Sequence, residues 1–248
     1  MSARQFFSLT TALLALVLAA ILGGCGGSDL VSREAGERAL LAAEPEPAVA
    51  EEADIDTAAV TWGTNLIRNP GAEASAGATS ASQDTPPIYW TRTGKLHAVQ
   101  YGTSGGFPTA TSPGPKTRGS NFFSGGYNSA LSKAEQTRSV AWATEAIDFG
   151  LARYTLAGWL GGYSTDTDNA RLRITFLNGT GGKLGAATIG PISPAQRANK
   201  TGLVSRTRSG PVPKGTRSIK IELILTGGNG AYNDGYADAL SLRLSYLS

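Results

Sequence analysis

Apolar and polar residues alternate in run after run along the second half of the chain. Leu172, Ile174 and Phe176 share one face of a segment whose other face carries Arg171, Arg173 and Thr175. Ile219, Ile221, Leu223 and Leu225 repeat that period after Ser218, and Leu240, Leu242 and Leu244 repeat it again near the end. A period of two marks a strand with one face buried and one wet. RYTLAGWLGGY alternates through Tyr154 and Leu156, with Trp159 leaning to the core, and GLVSRTRSG adds another strand. IYWTRTG with KLHAVQYG read as two short strands about a Thr-Gly turn, and NFFSGG as a further one. Asn178-Gly179-Thr180-Gly181-Gly182 separates two alternating runs and predicts a hairpin. Helical spacing is scarce: the one candidate, Leu131 to Ala146, is poorly spaced and better fits a strand around Thr137 to Trp142. About eight to ten short strands broken by Gly, Pro and Asn, most of them half-wet, predict an all-β chain with two sheets packed face to face. SGGFPTATSPGPKTRGS, from Ser104 to Ser120, is a long loop within that β-sandwich.

The first 58 residues do not follow this pattern. Arg4 and the apolar run from Ala12 to Leu22 make residues 1–24 a signal peptide, too short in its apolar part for a membrane span. Cys25 is the sole cysteine of the 248 residues, so no internal disulfide is expected. The ending Leu22-Gly23-Gly24-Cys25 resembles the bacterial lipobox. That resemblance implies acylation of Cys25 and a lipid-anchored protein of the cell envelope. An aspartate after the cysteine commonly marks inner-membrane retention; Gly26 stands there, which implies the outer membrane or cell surface. Residues 25–58 hold nine acids against two bases and no aromatic, a composition that cannot bury enough apolar surface to offset ordering. They read as a disordered acidic tether, leaving 59–248 as one domain.

Removing the leader and tether leaves 19 bases against 10 acids, so the domain carries about +9 and favours acidic polymers or anionic surfaces. Its bases are scattered and no nucleic-acid motif is present, so nucleic acid is not the expected partner. With His97 alone and Cys25 assigned to lipid, Ser-His or Cys-His nucleophilic catalysis has no support. Asp166 and Asp168 read as solvated turn residues. Two acids invite a cation: Glu73, beside Pro70-Gly71, and Asp238, leading into the last strand, meet if the ends of the domain are neighbours. Calcium takes such hard oxygens from loops. Sugars pack their C–H faces on aromatic rings, and Tyr127, Trp142, Trp159, Tyr163 and Tyr232 are the candidates, with Asp234 as a polar partner. In GAYNDGYAD, Asn233-Asp234-Gly235 reads as a tight turn that leaves Tyr232 and Asp234 free for ligand, while Tyr236 and Asp238 belong to the fold.

The opening NLIRNPGAE (Asn65, Leu66, Asn69, Pro70, Gly71, Glu73), Trp90 and the closing YADALSL (Tyr236, Asp238, Leu240, Ser241, Leu242) resemble carbohydrate-binding modules with a galactose-binding-like jelly roll. The resemblance implies a jelly-roll sandwich and a structural calcium on Glu73 and Asp238, joined by a backbone carbonyl near Ser120 or Asn121. Ala72 departs from the family's usual phenylalanine and Ala239 from its usual asparagine. The resulting expectation is a non-catalytic domain of a membrane-anchored lipoprotein that binds a glycan, with acidic polysaccharide the natural ligand of a basic surface. A protein-binding adhesion or structural sandwich and a glycan hydrolase are the alternatives.

Overall fold

The computed structural model describes residues 60–228 and 231–247. The signal peptide, Cys25 and the acidic tether lie outside the described residues. Ten strands and one short helix follow Val60: β1 Thr91–Thr93, β2 His97–Gln100, β3 Asn121–Tyr127, β4 Leu131–Ser139, α1 Thr144–Phe149, β5 Ala152–Gly162, β6 Asn169–Leu177, β7 Lys183–Ile189, β8 Gly202–Pro211, β9 Ser218–Thr226 and β10 Tyr232–Tyr246. They form two five-stranded antiparallel sheets, ordered β1-β4-β9-β6-β7 and β2-β3-β10-β5-β8. The expected all-β two-sheet sandwich is what the chain adopts.

The alternating runs supply the core. Leu172, Ile174 and Phe176 of β6 lie beside Ile219, Ile221, Leu223 and Leu225 of β9 on the inner face of one sheet, and Leu240, Leu242 and Leu244 of β10 meet the same core from the other, all buried. Burying each such side chain is worth about 1.5–3 kcal/mol, which orders both sheets about one apolar layer. The β6–β7 hairpin closes where expected: Asn178 Oδ1 accepts hydrogen bonds from the Thr180 and Gly182 backbone N–H groups.

Three local readings are corrected. β1 and β2 do not pair with each other; β1 pairs with β4 in one sheet and β2 with β3 in the other. The Gly94 turn therefore carries the chain across the sandwich, with φ 79°, and a Cβ there would lie 2.7 Å from the Leu131 carbonyl oxygen. The Leu131–Ala146 stretch is strand β4 through Ser139, followed by a single 3-10 turn at Ala141–Ala143 and then α1, so the strand ends before Trp142. Lys133, Glu135 and Thr137 alternate with inward-facing Ser132, Ala134 and Gln136, a period that short polar residues masked.

Trp159 does not enter the main core. It lies on the opposite face of β5 from Leu156 and Leu160 and is half-buried beside a second apolar cluster of Ala78, Val99, Phe107, Phe122, Leu203 and Tyr236. That cluster sits on the outer face of the β2-β3-β10-β5-β8 sheet. Phe107 anchors the long 104–120 loop to it, and the Arg118 guanidinium ties the loop together through the carbonyls of Thr109, Ser112 and Pro115.

Candidate functional site

The segment after Val60 runs beside the second half of β10. Gly63 and Leu66 donate backbone hydrogen bonds to Leu244 and Leu242, and Leu240 donates to Pro70. Asn65 locks this pairing with both ends of its amide: Oδ1 accepts from Leu242 N–H and Nδ2 donates to the Leu240 carbonyl. β10 bulges between Asp238 and Ser241, where Ala239 takes φ 47°. The bulge aims Asp238 at the turn that carries Glu73, and both carboxylates line one open cleft of about 360 Å³ with Arg118 and Arg243.

Asp238 is 1% exposed. Burial pushes its carboxyl up to about 7, the Glu73 charge adds to the rise, and hydrogen bonds from the Tyr101 hydroxyl and the Ala239 N–H oppose it. Tyr101 donates to Asp238 Oδ2 at 2.7 Å. Glu73 accepts from the Ser120 and Asn121 backbone N–H groups, the latter at 2.8 Å. The resemblance implies a backbone carbonyl near Ser120 or Asn121 at this site; the loop presents the N–H groups of these two residues to Glu73. Gly119 has φ 68°, and a Cβ there would lie 2.4 Å from Glu73 Oε1. The donor set fits a hard cation on two counts. Two carboxylates share one cleft at a cost that Arg118 offsets only in part, and each carboxylate keeps a lone pair beyond its hydrogen bonds. Among the described residues no three His, Cys, Asp or Glu side chains gather as a metal cluster, so any calcium here would need carbonyls and water to complete its shell.

YNDGYAD is a bulged strand rather than a turn. Residues 232–238 belong to β10, and the register shifts between Asn233 and Tyr236. Asn233 is buried and donates to the carbonyls of Ser129 and Leu225. Asp234 is half-buried, accepting the Tyr236 hydroxyl hydrogen and giving its backbone N–H to Asp168. Burial pushes the Asp234 carboxyl up to about 6. Asp168 is no solvated turn residue: it is 3% exposed and also holds Gly228 N–H. Arg197, equally buried, fixes the adjoining loop by donating to the carbonyls of Ser164, Asp166 and Lys200. Tyr232 is likewise not free. Its hydroxyl lies 2.6 Å from His97 Nε2 and accepts from Ser124, and its ring packs edge-on against Phe107. Burial pushes the His97 imidazole down to about 4, so it is neutral at pH 7 and shares a hydrogen bond with the intact Tyr232 hydroxyl at Nε2.

Tyr127 is the candidate that stays open. It ends β3, opposite Tyr232, and is 54% exposed. It lines a pocket of about 200 Å³ together with Ala81, Ser82, Gln83, Asp84, Lys95, His97 and Asn128. The Arg92 guanidinium, hydrogen-bonded to the Asp84 carboxylate, holds that carboxylate below its usual range, so it is ionised and fixed as an acceptor. Tyr163 is also part-exposed, but its ring covers Gly106, where a Cβ would come within 2.6 Å of it.

Trp142 belongs to a separate site. Trp62 packs edge-on between Trp142 and Tyr246, with ring centroids 4.9 and 5.8 Å away. With Phe149 and Leu151 these rings line a cleft of about 270 Å³. The sequence reading missed Trp62, Phe149 and Tyr246. They lie far apart in sequence, and only the pairing of the Gly63 region with the end of β10 unites them.

No protein-family model matches the chain, and no curated protein does. Among solved structures it is similar to the enzymatically active domain of bacteriophage CBA120 tailspike protein 4, at 16% identity and TM-score 0.41, covering 73% of this chain but 21% of that one. It is similar to TmCBM61 in complex with β-1,4-galactotriose, at 14% identity and TM-score 0.41, covering 74% of this chain and 99% of that one. A family 16 carbohydrate-binding module is similar at 14% identity and TM-score 0.44, covering 72% and 99%. The structures it resembles include carbohydrate-binding modules. At these identities their ligands do not transfer to this chain.

Proposed function

We propose that this domain is a non-catalytic carbohydrate-binding module, displayed by a lipid-anchored protein of the cell envelope, and that its sugar lies on Tyr127. One observation carries the reading: an exposed tyrosine ring beside a pocket walled by an ionised carboxylate, a lysine and two amides. A pyranose needs that combination, an apolar plate for its C–H face and fixed polar groups for its hydroxyls. Lys95 and the basic domain favour an acidic polysaccharide. Calcium bound by Glu73 and Asp238 would neutralise the buried carboxylate and lock the opening segment to β10. Lipid on Cys25, with Gly26 following, would place the protein at the outer membrane or cell surface.

The test is a glycan array followed by calorimetric titration of the best glycan. Tyr127→Ala should lose binding with unchanged thermal stability, because the ring is 54% exposed. Equal binding by the variant, or no glycan bound at all, would move the protein-binding alternative to first place.

A second reading, glycan hydrolysis, draws on the Asp238 carboxyl pushed up to about 7 beside Glu73, as a proton donor would be. Against it, Asp238 is 1% exposed and its oxygens are engaged by Tyr101 and Ala239. Release of reducing sugar that disappears in Asp238→Asn would establish it.

A further inference from the structure

β10 runs the length of the sheet. Tyr232 pairs with Tyr127 at one end, and Tyr246 pairs with Ala152 at the other. At roughly 3.3 Å per residue, the two ends of this strand are roughly 45 Å apart. The Tyr127 pocket is at the first end. The Trp62–Trp142–Tyr246 cleft is at the second.

The second end is unusual for a protein surface. Phe149 is 69% exposed, Tyr246 51% and Leu247 48%, and Trp62 and Trp142 are 37% exposed each. Large apolar side chains gathered in this way mark an interaction surface. Trp and Tyr are the residues that settle at a membrane interface, where one part of the ring meets headgroups and the rest meets acyl chains. Basic side chains of the domain stand around these rings, while Glu51, Glu52, Asp54 and Asp56 of the acidic segment precede Val60. Arg243 donates to the Gly63 carbonyl beside Trp62, Arg153 pairs with Ser245, and Lys214 lies against Gly150 next to Phe149. Asp148, the acid nearest Phe149 in sequence, is already paired with Arg217, leaving Glu145 as the acid that lines the cleft.

The position of this patch points to its partner. The chain reaches the domain through Val60, two residues before Trp62, and Cys25 precedes Val60 by 35 residues. A lipid on Cys25 would draw the domain to the bilayer by this end, which carries the exposed rings.

We propose that the Trp62, Trp142, Phe149, Tyr246 end of the domain docks onto the anionic bilayer surface to which Cys25 is anchored, holding the Tyr127 pocket away from it. This rests on the lipoprotein reading above. Tethering makes docking an intramolecular step, so a patch too weak to bind membranes alone is sufficient. The attraction of basic side chains to an anionic surface is lost as salt screens it.

The test uses the acylated chain reconstituted into vesicles of phosphatidylethanolamine and phosphatidylglycerol, part of whose acyl chains are brominated. Flotation reports anchoring, and quenching of tryptophan emission by bromine reports docking. Of the four tryptophans, Trp90 is buried in the core and Trp159 is half-buried near the middle of β5, so quenching is expected from Trp62 and Trp142. It should vanish in the Trp62→Phe/Trp142→Phe variant and weaken in Phe149→Asp and in high salt, with flotation unchanged in all three. A chain that floats without quenching keeps its anchor and overturns the docking. A chain that does not float removes the lipoprotein reading and the docking with it. A dimer in light scattering that Phe149→Asp dissolves, without quenching, assigns the patch to a second copy and overturns the proposal.

Discussion

The Tyr101 hydroxyl donates to Asp238 Oδ2 at 2.7 Å across 137 residues of sequence. The same carboxylate, with Glu73, faces the cleft at the turn after Pro70. One hydrogen bond therefore connects the outer-face apolar cluster, on which Tyr101 packs, to the candidate cation site.

If calcium occupies that cleft, thermal unfolding of the full-length chain should shift upward with calcium relative to chelator. A free calcium concentration of a hundred times Kd corresponds to about 2.7 kcal/mol. Glu73→Gln and Asp238→Asn should abolish the shift. Gly119→Ala should do the same, because its Cβ would collide with Glu73 Oε1 at a φ of 68°. Identical midpoints with calcium and with chelator in the native sequence would remove the metal.

How much of this was legible depended on whether partners were close in sequence or residues kept a period. β6, β9 and the end of β10 were plain because each has one face in water and one in the core. The meeting of Glu73 with Asp238 was legible because their segments are the first and last of the domain. Tyr101, Arg118 and the Ser120 and Asn121 N–H groups were not, since nothing in the 101–121 loop indicates where it folds back. Period two did place Trp159 with Thr155 and Ala157, away from Leu156, so a strict reading of alternation would have found its outer face. The bulge at Asn233 to Tyr236 resembled a turn because both use Asn, Asp and Gly to accommodate irregular backbone. What decides for the strand is Asp168, which arrives from a distant loop to take the Asp234 N–H.

Half-buried Asp234 and buried His97 should give opposing pH dependence. The Asp234 carboxyl is raised from 3.8 to about 6, so the folded state holds its proton more tightly than the unfolded chain, and stability falls as pH rises from about 4 to 6. His97 is lowered from 6.5 to about 4, so the unfolded chain takes the proton first, and stability falls as pH drops from 6.5 towards 4. In the native sequence the two slopes oppose, and Asp238, raised to about 7, adds to the Asp234 slope. Relative to the native sequence, Asp234→Asn should gain stability as pH rises through this window, and His97→Gln should lose it. Chemical denaturation across pH 4 to 7 checks both; parallel curves for all three proteins would show that neither group titrates as its burial requires.

If the pocket at Tyr127 takes an acidic glycan, Lys95→Ala should weaken an acidic ligand by roughly tenfold, about 1.4 kcal/mol, and leave a neutral one of the same backbone nearly unchanged. The native affinity for the acidic ligand should also fall steeply with ionic strength, since Lys95 is exposed and screened. Equal losses for both ligands would make Lys95 a hydrogen-bond donor to the sugar ring rather than a charge detector.

Asn65 offers the sharpest test of how the opening segment is held. Its Oδ1 accepts from both Ile67 and Leu242 N–H and its Nδ2 donates to Leu240, so one side chain satisfies three backbone groups at the β10 bulge. Asn65→Ala leaves them without partners where the sheet edge is part-buried, which costs about 1–3 kcal/mol for each group water does not reach. The loss should exceed that of a surface substitution such as Thr64→Ala. It should also weaken calcium, because the segment released from β10 is the one that carries Glu73. Asn65→Asp separates the two effects: the carboxylate still accepts from Ile67 and Leu242 but no longer donates to Leu240. Stability measured with and without calcium should then place it between the native chain and Asn65→Ala. If Asn65→Ala unfolds at the native midpoint in both conditions, the backbone pairing of Leu66 and Pro70 with β10 holds the segment by itself.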